Sequence, residues 1–181
     1  MPMIDVYVPA DLLAASDAAQ LATDLTWAVL RAEGVAAPGP FHLDNTAAYV
    51  HRVPADAVAT GSATSARAVR VQIVTPTAAL NRDGQRQITA EATELIDAAV
   101  TADHRPVKTW VILTEAAEGG WGIDGTAYGV EEFAALARAA GTAEQGADTQ
   151  PRPRQHRTAG DAVLPVTGRK DGASGHGHAI R

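Results

Sequence analysis

The chain contains no cysteine. Disulfides, thiolate nucleophiles and cysteine-ligated metals are thereby excluded. No apolar run approaches the roughly 20 residues that cross a bilayer. The N-terminus has no basic segment ahead of an apolar one and does not read as a signal peptide. A soluble cytoplasmic protein with no membrane partner is the expectation. Positive charge is scarce: 15 Lys and Arg stand against 21 Asp and Glu, a formal net charge of −6. A nucleic-acid binder would need a basic face, so that partner class is set aside. The deficit is uneven. The stretch from Gly141 onward carries +2, which leaves −8 on residues 1–140. A body this acidic repels anionic ligands at long range.

What is present is enough for one core: 181 residues, 46% of them hydrophobic. The first eight residues organise the rest. Met3, Ile4, Val6 and Val8 suit a buried strand, and Tyr7 is a strand former too. A strand this close to the terminus fixes the terminus in the core. The second residue is Pro2. Removal of Met1 ahead of so small a residue leaves a secondary amine at the end of a buried strand. An α-amino group titrates at roughly 7.7–8.0. An apolar pocket or a nearby arginine lowers that value, because both disfavour the charged form. A neutral amine near pH 7 can take a proton from carbon.

After the first strand, Ser16 or Asp17 can cap a helix. Its apolar face is Leu21, Ala22, Leu25, Ala28, Val29 and Ala32, and Gly34 closes it in a left-handed cap. The stretch 35–40 reads as a loop, with His42 on the surface beyond it. Thr46 to Val53 is the second strand, stopped by Pro54. The stretch 59–66 is a linker or hairpin arm. Then the pattern repeats. Val69, Val71 and Ile73 share one face of a strand, with Arg70 and Gln72 on the other. A second helix, capped near Asn81 or Asp83, carries Ile88, Ala92, Leu95, Ile96, Ala99 and Val100. A strong strand runs from Val107 to Thr114. These are two βαβ units offset by roughly 65 residues. Each puts its two strands parallel with a right-handed crossover. The fold class is α/β (α+β): a four-stranded sheet with both helices on one face. The other face is left bare, which predicts that further subunits cover it. Four glycines between Gly119 and Gly125 describe a sharply turned arm, not a helix. A short helix follows from Val130 to Ala139. The 141–181 stretch has no periodicity and reads as a disordered tail, leaving a 1–140 domain with units of about 1–58 and 59–128.

Two stretches carry a family resemblance. One is Met1-Pro2 followed at once by a strand. The other is Val111-Ile112-Leu113-Thr114-Glu115-Ala116-Ala117-Glu118-Gly119-Gly120-Trp121-Gly122-Ile123-Asp124-Gly125. Together they resemble the tautomerase superfamily, whose members use an N-terminal proline on a β-α-β scaffold. The second is similar to the end of 4-oxalocrotonate tautomerase. The double-length build resembles cis-3-chloroacrylic acid dehalogenase and malonate semialdehyde decarboxylase, in which two units are fused and three chains assemble. The resemblance spans residues 1–128. It implies Pro2 as the catalytic residue, Trp121 as a pocket wall, a homotrimer, and no cofactor. Positions that hold a helix histidine and two carboxylate-binding arginines in the dehalogenase are Val29, Thr77 and Leu80 here. The second-strand arginine of 4-oxalocrotonate tautomerase aligns with Trp110. These departures argue against hydrolytic dehalogenation and against recognition of a dicarboxylate.

Candidate replacements for the missing cations are Arg82, at the start of the second helix, and Arg70, on the polar side of a strand. Glu115 at a strand end can orient a water or an amide. His51, Tyr7 and Tyr49 are further polar candidates, each also readable as packing. Trp121 and Trp110 would dry the site. His176 and His178 lack a carboxylate or cysteine at matching spacing, so no metal site is expected. The resulting expectation is a tautomerase acting on a small carbonyl or carboxylic acid substrate, with Pro2 as general base. A decarboxylase or hydratase with protonated Pro2, and a trimeric scaffold without chemistry, are the alternatives.

Overall fold

A computed structural model describes residues 1–100 and 105–136. Alternation of apolar and polar residues builds β1 (Met3–Pro9), β2 (Ala47–Val53), β3 (Ala68–Thr75) and β4 (Lys108–Glu115). They form one sheet in the order β2-β1-β3-β4. β1 runs parallel to β2 and β3 parallel to β4, while β1 and β3 are antiparallel at the centre. Two parallel pairs joined back to back are what two βαβ units give. Their crossovers are α1 (Ala18–Ala32) and α3 (Arg82–Ala99).

Both helices face one side of the sheet. Ile4, Val6, Val8, Val69, Val71 and Ile73 are fully buried beneath them. Leu25 and Val29 of α1 and Ile88, Ala92 and Ile96 of α3 close the same core. Asn81 caps α3 as expected, its side chain accepting from the Gly84 amide at 2.8 Å. Asp17 precedes α1 without a side-chain cap bond; its carbonyl accepts from Leu21 instead. Gly34 ends α1 at φ +79°, the left-handed position its sequence context predicts.

Two segments differ from the sequence reading. Residues 40–44 are not part of a plain loop but a short helix, α2 (Pro40–Asp44), with Pro40 at its first turn. Proline there loses only an amide that the helix start leaves unbonded anyway. The glycine-rich arm is a hairpin of β5 (Trp121–Ile123) and β6 (Thr126–Tyr128). Its turn is Asp124-Gly125, both at positive φ, the two-residue turn that matches strand twist. Glu118 of this arm accepts from the Val130 amide at 2.9 Å, and Glu132 accepts from Gly129 at 2.8 Å. These carboxylates start a helical run over residues 130–136. The expected tail at 141–181, with His176 and His178, lies outside the described residues. Among those described, no helix is long and apolar enough to cross a membrane.

Candidate functional site

The register of β1 against β3 sets Met3 opposite Val74. The chain terminus therefore emerges beside the loop between β3 and α3. Met1 and Pro2 are both buried. Around Met1 lies a cavity of about 600 Å³. Val35, from the turn after α1, lines it, as do Phe41 and His42 of α2 and Phe133 of the last helical run. The β3–α3 loop supplies another wall through Thr77 and Ala78. Thr77 is fixed there, its hydroxyl donating to the Ala116 carbonyl at 2.7 Å. Ala78 holds φ +59°, a left-handed conformation that costs an L-residue about 1–2 kcal/mol.

The polar groups in this cavity come from two places. Glu33 sits directly after α1, with its side chain 5% exposed. One carboxylate oxygen accepts from the Met1 amino group at 3.0 Å. The other, Oε1, is buried with no hydrogen-bond partner, and so is Nδ1 of His42. Burial pushes the Glu33 carboxyl above its ordinary 4.5, and the positive terminus pulls it partway back. His42 is pushed below its ordinary 6.5, first by loss of water and then by the same positive charge. A carboxylate buried at the C-terminal end of a helix also faces the negative pole of the helix dipole.

The residues singled out in the sequence fall elsewhere within the single chain. The chain terminus reaches the cavity through Met1; Pro2, buried next to it, is not one of the walls. Arg82 lines a separate shallow depression with Gln85 and Arg86, and donates to Gln85 at 3.2 Å. Arg70 and His51 lie on the sheet face away from the helices. There His51 bonds Asp5 at 2.7 Å and stacks on Tyr7, while Arg70 lies 4.4 Å over the Tyr7 ring. Trp110 is opposite Arg70 on that face and 42% exposed. Trp121 is buried in the hairpin, and Glu115 is exposed at the end of β4. None of these six lines the cavity in one chain. His42, read from sequence as a loop surface residue, is instead a cavity wall on a helix. Glu33 went unnoticed because it reads as an ordinary charge at a helix end. Its one available signal was an acidic residue immediately before the helix-ending Gly34, where a base is favoured.

No protein-family model and no curated protein matches the sequence. Solved structures do. A wild-type fused 4-OT, described as a symmetric trimer, superposes with a TM-score of 0.57 at 16% identity, over 74% of this chain and 98% of its own. A macrophage migration inhibitory factor-like protein from Entamoeba histolytica gives 0.55 at 14% identity, over 70% and 98%. Pt0534, in a form inactivated by 2-oxo-3-pentynoate, gives 0.54 at 13% identity, over 69% and 95%. At these identities the likeness establishes the fold alone: two β-α-β units arranged as in those structures.

Proposed function

We propose that this chain, built on the fused tautomerase fold, is a cofactor-independent tautomerase whose mature form begins at Pro2. The observation that carries the reading is the placement of the chain terminus. It is buried in a largely apolar cavity of substrate size, next to a buried carboxylate. Removing Met1 adds its volume to that cavity and turns the Pro2 nitrogen toward it. The Pro2 nitrogen is three bonds from the Met1 nitrogen, hence within roughly 3.7 Å of it. The amine then acts as proton carrier between a substrate carbon and the cavity, the work of a general base and acid. The fused 4-OT relative is described as a trimer, and we extend that assembly to this chain. The candidates on the outer sheet face and at Arg82 would then approach a cavity only across a subunit boundary.

Intact mass and turnover test this together. The mature protein is expected to lack Met1. Turnover of a panel of enolisable ketones and 2-oxo acids should fall roughly 10²–10⁴-fold when Pro2 is acylated or Met1 is retained, the usual span for a lost acid–base group. Undiminished turnover with a blocked amine would end the reading. One observation favours a second reading, that of a scaffold without chemistry: the Met1 amine and Glu33 already form a buried ion pair. A mature protein that keeps Met1 would favour it.

A further inference from the structure

Among the described residues that line it, the cavity has one carboxylate, one histidine and largely apolar walls. No lysine or arginine is among these described residues. Glu33 Oε1 is buried and unpartnered, so the site holds a ready hydrogen-bond acceptor. An ionised substrate carboxylate offers only acceptors and carries the same charge. In a site this poor in water, like charges repel far more than in solution. The −8 charge of residues 1–140 adds to that repulsion. An uncharged carbonyl compound carries no charge to be repelled, and its enol form has a hydroxyl to donate.

We infer that the cavity selects uncharged, enolisable ketones or aldehydes bearing an apolar substituent, and disfavours 2-oxo carboxylates, with Glu33 as the partner of the enol hydroxyl. This rests on the reading of Pro2 as the working amine. The geometry supports a two-group proton cycle. Glu33 Oε2 lies 3.0 Å from the Met1 nitrogen, so it is within roughly 7 Å of the Pro2 nitrogen. That gap admits one substrate functional group. The amine removes a proton from the α-carbon. The C–H electron pair becomes the C=C bond, and the carbonyl π pair takes a proton that the Glu33 carboxylate relays from the ammonium. The products are an enol, a neutral amine and the carboxylate. The site is thereby reset, with no net gain or loss of charge. Burial raises the Glu33 carboxyl's affinity for a proton, as the cycle requires.

Two alkynyl ketones separate the inference from the reading it rests on. 2-Oxo-3-pentynoate carries a carboxylate; 3-pentyn-2-one has a methyl group in its place. In both, an amine adds to the alkyne, forming a C–N bond, and the amine proton ends on the neighbouring carbon. Labelling of the Pro2 peptide is followed by mass spectrometry and normalised to the reaction of each probe with free proline. The neutral probe is expected to label roughly tenfold faster or more. Glu33→Gln should narrow that ratio. Ala79→Lys, at a half-buried position on the cavity rim, should speed the anionic probe without touching the carboxylate. Faster labelling by the anionic probe in the wild type would overturn the inference and leave Pro2 as the working amine, with a cation reaching the site from outside these walls. A ratio unmoved by either variant would overturn it too. Labelling by neither probe would remove both the inference and the tautomerase reading.

Discussion

Glu33 and His42 share a cavity and an amine, yet they respond to pH in opposite directions. In the Met1-bearing chain, folding raises the Glu33 carboxyl above 4.5, mainly by burial. The folded state then holds its proton more tightly than the unfolded state. That contribution to stability is full below pH 4.5 and is lost as pH rises through the folded value. Burial lowers His42 below 6.5, so its contribution is full above pH 6.5 and is lost as pH falls toward the folded value. Thermal unfolding followed across this range should show Glu33→Gln losing less stability on the alkaline side than the wild type. His42→Phe should lose less on the acid side. Parallel profiles for all three proteins would mean that neither group is desolvated as described. This pair also marks the limit of sequence reading. Pro2 announced itself by position and by a motif at the far end of the domain. Glu33 and His42 belong to no motif, and only the fold brings residues 1, 33 and 42 to one wall. Arg70 and His51 were visible as polar residues on strands, but alternation could not say that Asp5 and Tyr7 would be their partners within the chain.

At the scale of elements, the contact between α1 and α3 positions this carboxylate. Gly84 lies in the first turn of α3, buried against the end of α1. A Cβ added there would stand 2.4 Å from the backbone carbonyl oxygen of Ala32 and 3.2 Å from Leu80 Cδ2. Alanine ordinarily improves a helix by about 0.8–1.0 kcal/mol over glycine. Here the obstacle is backbone, which no rotamer change relieves, so the helices must part. Gly84→Ala is therefore expected to destabilise by about 1–3 kcal/mol in chemical denaturation. Because Ala32 precedes Glu33, it should also lower turnover. A stabilised variant would show that the helices slide freely at this contact. The four sheet strands and both long helices were legible beforehand because period 2 and period 3.6 are strong where one face is buried. Val69, Val71 and Ile73 against Arg70 and Gln72 is the plainest case. α2 and the β5–β6 hairpin were not. Pro38, Gly39 and Pro40 conceal a five-residue helix, and glycines at 119, 120, 122 and 125 hide two three-residue strands.

For the whole molecule, what matters is the sheet face that neither α1 nor α3 covers. Tyr49, Trp110 and Ile112 on that face are 54%, 42% and 43% exposed. Between them lies a polar centre whose members touch one another: Asp5 bonds His51, His51 stacks on Tyr7, and Arg70 lies over Tyr7. Apolar anchors around a mutually contacting polar centre suit an interface better than a solvated surface. Arg70 is not bare when the face is covered, because the aromatic ring beneath it lowers the cost of removing water. The expected assembly is three copies with these faces turned inward, measured as a trimer by light scattering. A double variant, Trp110→Glu with Ile112→Glu, places two acidic groups on β4 at the outer limit of the sheet. It touches neither the helical core nor the Met1 cavity. It should therefore dissociate the assembly while leaving the helix content of each chain intact by circular dichroism. A wild-type chain that runs as a monomer at micromolar concentration would leave this aromatic face in water. It would also remove the subunit boundary through which Arg70, His51 or Arg82 could approach a neighbouring cavity.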